Sequence, residues 1–321
     1  MNGLKTHKLY KYTTDKGAEY KTMNLSYQIF GKEIHTAPIV LVNHALTGNS
    51  DVIGPDRGWW KGIVGEGKLI DTSRYTVVAF NIPGNGYDGH LIDNYKDFTT
   101  KDIAILFHTA LNELNVYKVY AIIGGSLGGG IAWEMASLFP SFSKYIVPIA
   151  ADWKSSDWVI GHNSVQESIL LNSNSPLKDA RKMAMLFYRT PLSFIQKFKR
   201  TKTKDETIYN VESWLNHHAN VINNRFHLKA YLMMNHLLSS INIKPENTPI
   251  REVLAKIEST IIQISISSDL LFISDENVKT KKILDELQMS NEHYQIKSID
   301  GHDAFLIEHE QISDFLSPFF N

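Results

Sequence analysis

The 321-residue sequence contains no cysteine. That excludes disulfides, thiolate metal sites and a cysteine nucleophile together, and it fits a reducing compartment. A dominant charge is lacking too: 33 Lys and Arg against 34 Asp and Glu leave a formal net charge of −1. With no global field to draw in a polyanion, a nucleic-acid partner is not expected. No stretch approaches the roughly 18 apolar residues of a membrane-spanning helix. Met1 to Ala18 is polar and lysine-bearing, without the apolar run of a signal peptide. The expectation is a soluble cytoplasmic protein with no membrane partner. There is no internal repeat and no low-complexity tract. The length is sufficient to bury a full α/β core and leave residues for a subdomain.

What is present is a succession of apolar runs alternating with helical patterns. Tyr20 to Phe30 reads as a strand. Ile39 to Val42 and Tyr75 to Phe80 are continuously apolar, as expected of parallel strands buried on both faces. Lys101 to Leu114 has helical spacing, and Val119 to Ile123 and Tyr145 to Ala150 are further strands. Strands alternating with helices predict a mostly parallel, doubly wound sheet covered on both faces. From about Asp152 to Glu258 strand runs disappear, and helical patterns rich in aromatics, Met and His take over: Ala180 to Tyr188, Val211 to Leu215 and Leu228 to Leu238. A core of residues 1–151 and 259–321 is therefore expected, with residues 152–258 inserted as a helical cap.

One motif carries chemistry. Ser126 sits in Gly124-Gly125-Ser126-Leu127-Gly128, between the strand Val119 to Ile123 and a helix-like run from Gly130 to Ala136. A nucleophile elbow needs a serine on a tight turn between strand and helix, with small neighbours because the turn packs closely. The helix that follows aims free N–H groups and its positive dipole end at the serine. A serine nucleophile needs an imidazole to take its proton, and the imidazole needs a carboxylate to fix its tautomer. Both follow in the order this arrangement uses. Asp269 ends the apolar run Thr260 to Ser268, and His302 lies after the strand-like run His293 to Ile299. Taken singly, Asp269 also reads as a helix cap and His302 as a loop histidine. Asp275 and Asp300 are rivals for the acid. Asp275 lies further into the following helix, and Asp300 is too near His302 in sequence to reach its Nδ1 easily.

Together these segments resemble the homoserine O-acetyltransferase group of the α/β-hydrolase superfamily, from about Tyr27 to Leu316. The marks are Asn43-His44-Ala45-Leu46-Thr47-Gly48, Gly58-Trp59-Trp60, Gly65 to Thr72, Gly124 to Gly129, Val211-Glu212-Ser213-Trp214-Leu215 and Gly301-His302-Asp303-Ala304-Phe305. The resemblance implies an α/β-hydrolase fold and a triad of Ser126, Asp269 and His302. It implies oxyanion-hole N–H groups at Leu46 and Leu127, and substrate contacts at Arg181, Tyr188 and Asp303. The seven-residue step from Arg181 to Tyr188 is two helical turns, so one helix face can present both. An arginine for a carboxylate and an aspartate for an ammonium suit a free amino acid. His44 reads as structural, since one histidine already fills the base role.

The implied reaction moves acetyl from acetyl-CoA to the L-homoserine hydroxyl through an acyl-serine, a step of methionine biosynthesis. Acetyl-CoA is then a co-substrate, with no prosthetic group and no metal, and a homodimer through the cap helices is expected. One segment departs from the family pattern. After Asn81 to Gly89 the family usually has a longer loop, whereas this chain passes quickly through His90 to Asp97-Phe98-Thr99. That leaves the acyl donor open. The basic run Lys197, Lys199, Arg200, Lys202 and Lys204 reads either as a solvated face or as a contact for a coenzyme A phosphate. Two other readings remain: a serine esterase or thioesterase with the same triad, and a non-catalytic binding protein on this fold.

Overall fold

The computed structural model describes residues 3–55 and 58–320. Among them the strands are β1 (Lys5–Thr13), β2 (Glu19–Gly31), β3 (Ile39–Asn43), β4 (Val64–Gly65), β5 (Ile70–Asp71), β6 (Thr76–Phe80), β7 (Val119–Gly125), β8 (Ser143–Ile149), β9 (Thr260–Ile266) and β10 (Asn291–Ile296). The helices are α1 (Thr100–Glu113), α2 (Leu127–Leu138), α3 (Asp157–Asn172), α4 (Pro176–Tyr188), α5 (Pro191–Phe198), α6 (Asn210–Arg225), α7 (Leu228–Ser240), α8 (Ile250–Leu254), α9 (Ser274–Glu286) and α10 (His309–Leu316). Eight strands form one sheet in the order β1-β2-β6-β3-β7-β8-β9-β10, and β4 and β5 pair separately. β1 and β2 run antiparallel to their neighbours; from β6 to β10 every pairing is parallel.

Burial explains the pattern. β3 and β6 are buried at every residue, which only a sheet covered on both faces allows. Alternate residues of β3 feed opposite layers. Leu41 joins Phe107 of α1, Met135 of α2 and Met233 of α7, whereas Val40 and Val42 join Trp60 and the α10 residues Ile312 and Leu316. Helix starts follow local chemistry. At α1 the Thr99 N–H donates to Asp102 Oδ2 at 2.8 Å, and α4 and α5 each open with a proline, whose missing N–H costs nothing there.

From β3 the chain crosses to β6 on one side and later to β7 on the other. The carboxyl ends of β3 and β7 therefore face a switch in winding direction, where diverging loops leave a crevice. The register places Asn43 opposite Gly124, which sets the loop after β3 beside the turn after β7.

Between β8 and β9 lie the helices α3 to α8, and no strand of the described residues. The boundaries proposed for a cap, 151/152 and 258/259, fall in irregular backbone; the outer bounds, residues 1 and 321, lie outside the described residues. The structure adds elements that the sequence pattern did not announce: the edge strand β1 and the helices α3, α5 and α10, whereas the helix expected around Asp275 is present as α9. Two expected elements end differently. The helix after Ser126 begins at Leu127 rather than near Gly130, because Ser126 C=O already accepts the Gly130 N–H at 3.0 Å. The strand expected over His293 to Ile299 stops at Ile296, and His302 lies in a short 3₁₀ helix, Gly301–Leu306, rather than an open loop.

Candidate active site

Ser126 is the single residue between β7 and α2, and it is held at φ 54° and ψ −121°. A positive φ strains a residue with a Cβ, and it persists only where the surroundings enforce it. Here the Ser126 N–H donates to Ile149 O at 2.8 Å, anchoring the turn to the end of β8. The neighbouring glycines are forced by contact. A Cβ at Gly124 would stand 2.5 Å from the Gly128 carbonyl carbon, and one at Gly125 would stand 2.5 Å from the Phe305 ring. Ser126 is nearly buried.

His302 and Asp269 meet from the ends of β10 and β9. His302 Nδ1 lies 2.7 Å from Asp269 Oδ2. The other carboxylate oxygen, Oδ1, accepts the backbone N–H groups of Leu271 at 2.7 Å and Phe272 at 3.0 Å. The acid is thus fixed from both sides, and Nδ1–H as donor leaves Nε2 as the basic nitrogen. Burial alone would pull the imidazole down. The charge and hydrogen bond of Asp269, aided by Asp303, outweigh it and hold the pKa of His302 above its ordinary value. Tyr188, Phe272 and Phe305 enclose the ring, with centroids 5.6, 5.8 and 5.6 Å away. The rival acids are placed elsewhere. Asp300 pairs with Arg189 and accepts from Ser193 Oγ at 2.9 Å, and Asp275 sits in the first turn of α9.

One cavity of about 60 Å³ gathers Ser126, His302, Leu46, Arg181, Tyr188 and Asp303. Asp269 stands behind His302. Leu127, whose side chain is in the core, is the first residue of α2, where a backbone N–H has no intrahelical acceptor. The loop carrying Leu46 is held by side chains. His44 is buried, with Nδ1 2.8 Å from Ala45 O and Nε2 accepting the Ile82 N–H at 3.0 Å. Burial pulls its pKa down to about 4, so it is a neutral strut. Asn43 Nδ2 reaches Gly128 O at 3.4 Å, tying this loop to the turn of Ser126.

Arg181 and Tyr188 lie on one face of α4, with the guanidinium carbon 5.6 Å from the Tyr188 ring centroid. Asp303 is drawn into the same cavity. Burial raises its pKa, against the opposing pull of Arg181, His302 and Arg189. Thr47, Phe305 and Leu306 also line the cavity. They lie within or beside the quoted motifs, but an unreactive residue in a motif gives no signal of a lining role. The basic run divides. Lys197 lies in the last turn of α5 and stands 5.1 Å from the Trp214 ring centroid, and Arg200 and Lys202 lie over the Tyr209 ring. Among the described residues no group of three or more His, Asp and Glu is placed to hold a metal, and no helix is long and apolar enough to cross a membrane.

The fold and this arrangement are those of the α/β-hydrolase class, and the model of the alpha/beta hydrolase fold family matches residues 38–220. A homoserine O-acetyltransferase of Pasteurella multocida is 30% identical, with 93% of this chain and 92% of that one aligned. One of Cyclobacterium marinum is 29% identical over 95% of this chain and 92% of its own. The crystal structure of homoserine O-acetyltransferase from Staphylococcus aureus, 27% identical, superposes with a TM-score of 0.83 over 99% of this chain and 95% of that one. The chain belongs to the homoserine O-acetyltransferase family, acyltransferases on the α/β-hydrolase fold.

Proposed function

We propose that the chain transfers the acetyl group of acetyl-CoA to the hydroxyl of L-homoserine through an acyl-Ser126 intermediate. The observation that carries this is the presence of Arg181 and Asp303 in the cavity of Ser126 and His302. A cation and an anion on the walls of one small cavity match the two charges of an amino acid, which a simple ester does not carry.

In the first half-reaction His302 Nε2 takes the Ser126 proton as Oγ attacks the thioester carbon. The N–H groups of Leu46 and Leu127 hold the oxyanion, the C–S bond breaks, and His302 returns the proton to the departing thiol. In the second, His302 deprotonates the homoserine hydroxyl, which attacks the acyl carbon; the bond to Ser126 Oγ breaks, and His302 returns the proton to that oxygen. Arg181 holds the acceptor's carboxylate, Asp303 its ammonium, and Tyr188 closes the wall between them. Coenzyme A enters and leaves as a substrate.

Two copies are proposed to associate through the helices between β8 and β9. That segment exposes Trp158, Val165, Leu171, Leu186, Leu192 and Ile195, and sedimentation distinguishes dimer from monomer. The reaction is tested by thiol release from acetyl-CoA and succinyl-CoA with homoserine, serine or no acceptor. Fast release from acetyl-CoA that depends on homoserine is expected. Equal release without acceptor makes water the acceptor and the protein a hydrolase.

A further inference from the structure

The corner between α5 and α6 gathers cations on aromatic faces. Lys197 stands over the Trp214 ring, and Arg200 and Lys202 lie 5.6 and 6.0 Å from the Tyr209 ring centroid. His218 packs against Trp214 from the next turn of α6, with ring centroids 4.2 Å apart. The loop between the helices is closed upon itself: Thr203 N–H donates to Ile208 O at 3.0 Å, and Lys202 bridges Tyr209. Lys199 and Arg200 enter it at φ 47° and 56°, left-handed values that a residue with a Cβ holds only where its surroundings enforce them.

These charges lack partners. Among the described residues none of Lys197, Lys199, Arg200, Lys202 and Lys204 forms an ion pair with a carboxylate. Two carboxylates of the corner are engaged by main chain, Asp205 accepting the Thr207 N–H at 3.3 Å and Glu212 the Tyr209 N–H at 2.8 Å. Burial first, then the charges of Arg181, His217, Lys197 and Arg189, pull the pKa of His218 down to about 4. Like charges held together on a fixed loop repel one another, and a bound anion relieves that repulsion.

α6 connects this corner to the reaction centre. At its far end Arg225 donates Nη1–H to Thr47 O at 3.0 Å, and Thr47 lines the cavity of Ser126. From Trp214 to Arg225 is roughly 16 Å of helix, a distance that an extended pantetheine arm spans. α5 starts on the other rim, where Thr190 Oγ1 donates to Ile299 O at 2.5 Å, on the segment leading to His302. The cavity itself, about 60 Å³, has room for the acyl end of a donor and none for a nucleotide.

We propose that the α5–α6 corner binds the phosphates of the acyl donor, with Lys197, Arg200 and Lys202 pairing to phosphate oxygens while the pantetheine arm follows α6 to Ser126. Ammonium and guanidinium groups are the cations that suit phosphate oxygens. The proposal rests on the acetyl-CoA reading and gives the donor's far end a binding place.

The test compares acetyl-CoA with acetyl-pantetheine, which keeps the thioester and lacks the nucleotide phosphates, on wild type and Lys197→Ala/Arg200→Ala. The double variant is expected to raise the KM for acetyl-CoA roughly tenfold, the scale of two exposed charge pairs. Its KM for acetyl-pantetheine and for homoserine should stay within about twofold of wild type. Added salt should weaken acetyl-CoA use by wild type and do so less in the variant. An unchanged KM for acetyl-CoA overturns the proposal and leaves the run a solvated face. An equal loss with both donors overturns it too, because the corner then acts through the packing of the cap. If wild type forms no acyl-Ser126 from acetyl-CoA, the donor reading fails and this subsite with it.

Discussion

The backbone of Gly128 lies directly against the carbonyl of Asn43: a Cβ at position 128 would come within 2.3 Å of that oxygen. The contact joins the turn of Ser126 to the loop of Leu46, the two sources proposed for the oxyanion hole. Spacing between two such donors must hold to a fraction of an ångström for them to serve one oxygen. Gly128→Ala is therefore expected to push the loop outward and lower kcat by about a hundredfold, the scale of a misplaced catalytic group. Substrate turnover and circular dichroism check this together. A folded variant with wild-type kcat contradicts the coupling.

Asp269 determines the proton affinity of His302. The base must be neutral to accept the serine proton, and its pKa is held above the ordinary histidine value. Activity should therefore fall as pH drops through that raised pKa, giving an acidic limb above about 6.5. In Asp269→Asn the main influence opposing desolvation is removed. The imidazole pKa drops, the acidic limb moves to lower pH, and kcat falls by roughly 10⁴ as the tautomer is lost. A pH–rate profile of the two proteins reads both effects, and an unmoved limb assigns the titration to another group.

The sequence reveals the centre of the fold better than its periphery. β3, β6 and β7 are legible because burial on both faces makes them continuous apolar runs. β1 is not, since Leu9 is its one buried residue and Lys5, Lys8 and Lys11 are among the exposed residues of this edge strand. α3 is illegible for a different reason. Trp158, Ile160, Val165 and Leu171 are exposed whereas Val159 and Leu170 are buried, so apolar residues fall all round the helix and no stripe emerges. At the site, Ser126, Asp269 and His302 can be read from motif order. The backbone clamp on Asp269 Oδ1 cannot, because main-chain donors leave no residue-type signal.

A buried carboxylate away from the site gives a stability prediction. Glu134 on α2 accepts the Thr100 hydroxyl at 2.8 Å, and desolvation pushes its pKa up to about 7. Since the folded pKa is raised, the protonated side chain's contribution is fully present below the unfolded value of about 4.5 and is lost as pH rises through about 7. The loss amounts to about 3 kcal/mol at most. Glu134→Gln keeps an acceptor for Thr100 and removes the titration. Its Tm should therefore fall less than that of wild type between about pH 5 and about pH 8. Asp152, also raised to about 7 by desolvation, leaves a residual slope in the variant. Identical slopes for the two proteins contradict the assignment.

The central claim is an acyl-Ser126 that hands its acetyl group to homoserine rather than to water. Mass spectrometry of the protein mixed rapidly with acetyl-CoA, then with homoserine or buffer, tests it most directly. The account predicts an acetyl adduct on the peptide carrying Ser126, absent from Ser126→Ala. Homoserine should discharge it many times faster than buffer, with O-acetylhomoserine as the product. An adduct on another residue, or discharge as fast in buffer as in homoserine, would contradict it.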